Sequence, residues 1–173
     1  MERRTVIADA AIDVIADSGL RALTHRGIDS ALDFPAGSTS YYFRTKSDLM
    51  SAVIDRIADS SRVSFDGVSA QLGREPVEVT VRYLEHLLVE RRNQLRARHS
   101  LLIDPSIDTE ARARLDGCLF SVDGAVELFG DRAVGQGYVA LCEGLVLASL
   151  GRGSGHVEVR APIVTYLTGA GKV

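Results

Sequence analysis

Residues 35–49, PAGSTSYYFRTKSDL, crowd small and hydroxyl-bearing side chains, three aromatic rings and two cations into one short segment. Ala36, Gly37, Ser38 and Ser40 are what a helix needs at its leading end if its backbone is to approach base edges in a DNA major groove. Either Tyr41 or Tyr42 can pack its ring in a small core and send its hydroxyl to a phosphate oxygen, while Phe43 anchors the segment from inside. Lys46, near the start of a following helix, adds a flexible cation and a helix-terminal N–H toward the same backbone. It stands out because the chain has 18 arginines and only two lysines, Lys46 and Lys172.

No comparable chemistry occurs elsewhere. His25, His86, His99 and His156 are scattered, no metalloprotease, nucleophile-elbow or phosphate-loop spacing is found, and no paired carboxylates stand beside a histidine. The chain therefore reads as not an enzyme, with no metal and no cofactor expected. Cys118 and Cys142 sit among apolar residues without C-x-x-C spacing and read as buried free thiols. The net charge of −3 argues against a non-specific nucleic-acid coat or an anionic-membrane binder. Even residues 1–50 carry six bases against seven acids, so DNA binding requires bases segregated onto one face.

The elements that position these residues follow from apolar spacing. Thr5–Gly19 is a first helix with Val6, Ile7, Ala10, Ala11, Val14 and Ile15 on one face and Gly19 as its stop. Thr24 caps a short second helix to about Leu32, Asp33 and Phe34 turn the chain, and Pro35 opens a third helix to about Tyr42. A fourth, capped by Thr45 or Ser47, carries Leu49, Val53, Ile54 and Ile57 and weakens toward Gly67. A fifth begins after Gly73–Pro76 and ends in the basic group Arg91, Arg92, Arg96, Arg98 and His99, a solvated helix end complementing its dipole or a counter-charge for an acidic ligand. Thr109–Phe129 reads as one helix, a helix around Tyr138–Leu150 is apolar nearly all the way round, and the last runs from about His156 to Leu167. The chain is all-α: a three-helix helix-turn-helix unit over residues 1–50 and a helical domain over 51–173. The 138–150 stretch, interrupted by Glu143, is too short to span a bilayer, and the N-terminus lacks a signal-peptide pattern, so a cytoplasmic protein without a membrane partner is expected.

Leu23–Leu49 resembles the DNA-binding segment of the TetR-type repressor family, with Thr24, Arg26, Ile28, Gly37, Phe43 and Lys46 in matching order and spacing. The resemblance implies base or phosphate contacts from His25, Arg26, Ala36, Gly37, Ser38 and Ser40, with Tyr41, Tyr42 and Lys46 holding the DNA backbone. Three departures stand out: Asp33 replaces the usual turn glycine, Asp29 stands where alanine is usual, facing solvent or pairing with an arginine, and Ser40 and Tyr42 occupy places where tyrosine and histidine are common. The family implies a homodimer built from the last two long helices, and the all-round apolar helix asks for the same covering. Tyr138, Leu141, Leu145, Leu150, Ile163 and Leu167 are the expected interface, and Tyr83, His86, Phe120 and Cys142 the expected lining for a small, mainly apolar ligand. The expected function is a repressor that binds a near-palindromic operator as a homodimer and is released by ligand. The alternative is a helical interaction adaptor that lost DNA binding through Asp29, Asp33 and the missing family tyrosine, whose place Ser40 takes.

Overall fold

The computed structural model of the chain describes residues 2–72, 75–151 and 158–172. Among these residues every regular element is helical: α1 Arg3–Ser18, a 3-10 turn Leu20–Ala22, α2 His25–Ala31, α3 Ser38–Tyr42, α4 Lys46–Leu72, α5 Pro76–Glu90, α6 Arg92–Ile103, α7 Thr109–Asp116, α8 Val122–Phe129, α9 Arg132–Gly151 and α10 Arg160–Gly169. Two compact units form, one from residues 1–60 with 93–115, the other from 61–92 with 116–173. The boundary falls within α4, between Ser60 and Ser61, ten residues beyond the expected position, and α6 and α7 join the first unit.

Local chemistry sets most boundaries of the first unit. Gly19 ends α1 at φ 77, and the Thr24 hydroxyl accepts the Gly27 amide at 3.0 Å to cap α2. Thr45 and Asp48 form a reciprocal cap on α4: Asp48 N–H donates to Thr45 Oγ1 at 3.0 Å, and Thr45 N–H to Asp48 Oδ2 at 3.1 Å. The core collects Ile7, Ala11, Ile15, Leu23, Ile28, Phe43, Leu49, Val53 and Ile57, all fully or almost fully buried. Arg56 on α4 grips both oxygens of Asp9 on α1, Asn93 on α6 donates to Asp13 at 2.8 Å, and Arg114 on α7 pairs with Asp55. The buried Arg98 donates to the Leu115 carbonyl at 2.8 Å.

Three expected elements differ. The fifth helix breaks at Arg91, whose backbone leaves the helical region at φ −130 and ψ 27. The basic residues after it thus open α6 and do not complement the C-terminus of the fifth helix; Arg92 instead donates to the Ser149 and Leu150 carbonyls in the last turn of α9, and Arg96 faces Asp17. The expected 109–129 helix breaks over residues 117–121, where Gly117 falls and the Ser121 hydroxyl caps a new helix by accepting the Gly124 amide at 3.0 Å. In the final segment α10 starts at Arg160, while Gly73, Gly153, Gly155, His156 and Val157 lie outside the described residues.

In the second unit α9 packs with α5, α8 and α10, and α10 with α5. Gly137 allows the α10 approach, since a Cβ there would collide with the Tyr166 hydroxyl, which donates to the Val134 carbonyl at 2.8 Å. The helix expected around 138–150 is longer in the structure: α9, Arg132–Gly151, is long and apolar enough to cross a membrane by length and composition alone. Its Tyr138, Cys142 and Val146 are nonetheless buried in the second unit, as in the core helix of a folded domain.

Candidate nucleic-acid interface

The turn between α2 and α3 is built from two residues with positive φ, Asp33 at 52 and Gly37 at 91. Asp33 holds a position that favours glycine because aspartate tolerates the left-handed region better than most residues. Gly37 is the N-cap of α3, so the third helix starts at Ser38, three residues later than Pro35, and contains five residues. A glycine that looks costly inside a helix is here the residue its turn requires.

Asp29 is the main departure from expectation. It neither faces solvent nor pairs with an arginine: it is 4% exposed, and its carboxylate accepts the Gly37 amide at Oδ2 and the Thr39 amide at Oδ1, both at 2.8 Å. Burial pushes its pKa up, but the neighbouring Thr39 hydroxyl, those two amides and the charge of His25 outweigh it and hold the carboxyl below its ordinary value. Two of the three departures behind the adaptor alternative, Asp29 and Asp33, are thus part of the turn that holds α3.

Around α3 the expected contact residues separate into three groups. Arg26, Ala36, Gly37, Ser40, Tyr41 and Lys46 are exposed, Tyr41 at 81%. Tyr42 is half-buried, its ring edge-on to Tyr41 with centroids 5.1 Å apart. His25 and Ser38 are turned to internal bonds: His25 Nε2 donates to the Phe43 carbonyl at 2.7 Å, and the Ser38 hydroxyl to the Pro35 carbonyl at 2.6 Å. Two cations absent from the sequence expectation join the site. Arg4 donates to the Tyr42 carbonyl at 2.5 Å and lies over the Phe43 ring at 4.2 Å, and Arg3 lies over the Phe34 ring at 4.7 Å. Their adjacency at the start of α1 was the available signal, but its meaning depends on where α3 lies.

A short helix with small exposed residues, mounted beside a second helix and flanked by cations, is a helix-turn-helix. No family model and no curated protein matches the sequence. Among solved structures, a member of the TetR family from Streptomyces coelicolor A3, SCO1917, matches at TM-score 0.75 and 25% identity over 97% of this chain and 98% of its own. The multidrug binding protein EbrR, complexed with malachite green, matches at TM-score 0.68 and 26% identity over 87% of this chain and 88% of its own. SCO7518 from Streptomyces coelicolor A3(2) shares the fold at TM-score 0.72 and 21% identity, covering 97% of this chain and 98% of its own. The chain thus shares the fold of TetR-family regulators over most of its length.

The second unit holds a connected set of rings. Phe65 and Phe120 each meet Tyr83 edge-on, Phe120 meets Tyr138 at 5.6 Å, and Tyr138 meets Phe129 at 5.0 Å. Tyr83, Phe120 and Cys142 of the expected ligand lining belong to this region, with Cys142 bonded to Tyr138. Burial, then the charge of Glu143, pushes the Cys142 thiol up to about 12, and burial likewise raises Tyr138, whose hydroxyl bonds Thr80. His86 is corrected: it is exposed on the outer side of α5, whose Thr80, Tyr83, Leu84 and Leu87 turn inward.

The expected dimer residues also divide. Tyr138, Ile163 and Leu167 are buried within their own chain, and Leu141, Leu145 and Leu150 are half-buried. The exposed side of α9 includes Gln136, Ala140, Gly144, Leu147 and Ala148. Leu141, Leu145 and Leu150 at the half-buried margin and the exposed Leu147 leave apolar surface on α9 beside these small residues.

Proposed function

We propose that this chain is a cytoplasmic TetR-type transcriptional repressor that binds a near-palindromic operator as a homodimer and is released by a small molecule. The observation that carries the DNA-binding part is the exposed edge made by the turn residues Ala36 and Gly37 with Ser40 and Tyr41 of α3, with Arg26 and Lys46 beside it. Small residues admit the helix to a major groove, while Arg26, Lys46 and the Tyr41 hydroxyl reach bases or phosphates. Tyr41 is the better placed of the two tyrosines for that contact because Tyr42 shares its surface with the unit's interior. The N-terminal N–H of α4 at Lys46 adds a partial positive charge.

The ligand part rests on the rings of the second unit and on EbrR, which was complexed with malachite green and with ethidium. Those dyes are aromatic cations, and an aromatic wall holding Tyr83, Phe120 and Tyr138 suits planar apolar molecules. Release follows if such a molecule binds one conformation of the regulator more tightly than the DNA-bound one.

The test is titration against the duplex flanking the protein's own gene and against a scrambled duplex, at two salt concentrations. Sequence preference with a steep salt dependence is expected; equal binding to both duplexes would sink the repressor reading. Lys46→Ala should weaken binding to every sequence alike, whereas Arg26→Ala should also blur preference at one base position. Ethidium should bind the DNA-free protein in a fluorescence titration, and absence of binding at high dye concentration removes the ligand assignment for that chemical class.

A further inference from the structure

The five residues of α3 form too short a helix to persist on their own bonds. Its support comes from α2. At the leading end, Asp29 takes the Gly37 and Thr39 amides on its two carboxylate oxygens, and its own backbone carbonyl accepts the Phe34 amide at 2.8 Å. One residue therefore receives three amides from the turn and the start of α3. At the trailing end, His25 Nε2 donates to the Phe43 carbonyl at 2.7 Å; a carbonyl only accepts, so Nε2 carries the proton. His25 and Asp29 stand four positions apart on α2, one helical turn, which puts both on one face.

We infer that His25 and Asp29 form a two-point mount on α2 that sets the direction of α3, making both positioning residues for sequence-specific DNA recognition. The inference rests on the DNA-binding reading above. Two fixed points, one at each end of a short rod, determine its pitch, whereas a single apolar contact leaves it free to rock. A buried carboxylate is costly unless its oxygens are satisfied, and here each oxygen has an amide partner. Asparagine offers one acceptor oxygen and turns an NH₂ toward the other amide; alanine offers none. The mount acts on direction, so its loss should spare binding that depends on charge alone, since Arg26 and Lys46 remain exposed.

The experiment uses the full chain and its Asp29→Asn, Asp29→Ala and His25→Ala variants. Each is titrated against the duplex flanking the gene and against the scrambled duplex, and hydrogen exchange of the Gly37 and Thr39 amides is followed by NMR. The preference ratio should fall by about tenfold in Asp29→Ala, as expected for losing charge-assisted bonds that hold the reading helix. Asp29→Asn should lie between it and the parent, scrambled-duplex affinity should stay within about twofold with an unchanged salt slope, and the two amides should exchange faster. His25→Ala should lower the ratio while leaving the Gly37 and Thr39 amides protected. If Asp29→Ala does not fold, Asp29→Asn carries both readouts and His25→Ala the preference ratio. Variants that discriminate as well as a discriminating parent, or exchange at Gly37 and Thr39 unchanged in the Asp29 variants, overturn the mount alone. A parent without sequence preference overturns the DNA-binding reading and the mount together.

Discussion

Gly37 sits at φ 91 with no atom within 4 Å of where a Cβ would be, so a side chain there meets strain and no clash. The left-handed region costs an L-residue about 1–2 kcal/mol, so Gly37→Ala should lower the melting temperature by roughly 3–6 °C for a chain of this size. Circular dichroism checks it; an unchanged midpoint would mean that the turn adopts another backbone. Asp29 makes a second prediction, about acid. Its folded pKa lies below the unfolded carboxyl value of about 3.9, so its contribution is present above that value and is lost as pH falls toward the folded pKa. Glu78 is also lowered, by hydrogen bonding to Arg160, but that pair is partly exposed and weakens in salt. The loss of stability below about pH 4 that persists in high salt should therefore shrink in Asp29→Asn. Denaturation at a series of pH values in about 0.1 and about 1 M salt reads it out.

Among the elements, caps and apolar spacing were legible wherever the signal was local. Thr24 on α2, Thr45 on α4 and the Gly19 stop of α1 are each read from a few neighbouring residues, and the buried stripe of Leu49, Val53, Ile54 and Ile57 from helical spacing. The break between α7 and α8 was hidden because Leu119 and Phe120 continue an apolar pattern through a stretch with no helix. The mount of α3 was hidden for the opposite reason: His25 and Asp29 are ordinary polar residues until the tertiary fold brings amides and a carbonyl to them. Packing likewise decides Cys142, which α9 carries into the core at 0% exposure with its thiol at about 12. A thiol so raised holds almost no thiolate at about pH 8. Cys142 should therefore resist iodoacetamide in the native protein and react once the chain is unfolded in guanidinium, as peptide mass mapping would record. Rapid native labelling would show that α9 opens readily.

For the whole molecule, the outer side of α9 poses the remaining question. Ala140, Gly144 and Ala148 recur every four residues, so they line one side of the helix, with Leu147 at 59% exposure beside them and the polar Gln136 one turn before. Small residues expose little area individually, but they let another helix approach closely, and a flat apolar strip on a helix of 20 residues is poorly suited to water. A two-fold partner would cover it with the same side of a second α9, in the self-complementary manner of most homodimers. A charge at the centre of that contact would be desolvated opposite its own copy. Ala140→Asp should therefore give a monomer in sedimentation velocity at micromolar concentration, with helical content unchanged because residue 140 is exposed within its own chain. Exposed Ile103, at 82%, belongs to the first unit and provides the control: Ile103→Asp should leave the sedimentation coefficient unaltered. The monomer should also lose the joint engagement of two half-sites, a cost of about 10²–10⁴ in apparent affinity for the preferred duplex. The affinity of one reading unit for a single half-site should persist. An Ala140→Asp protein that still sediments as a dimer would move the interface off α9, and with it the geometric reason for expecting a near-palindromic operator.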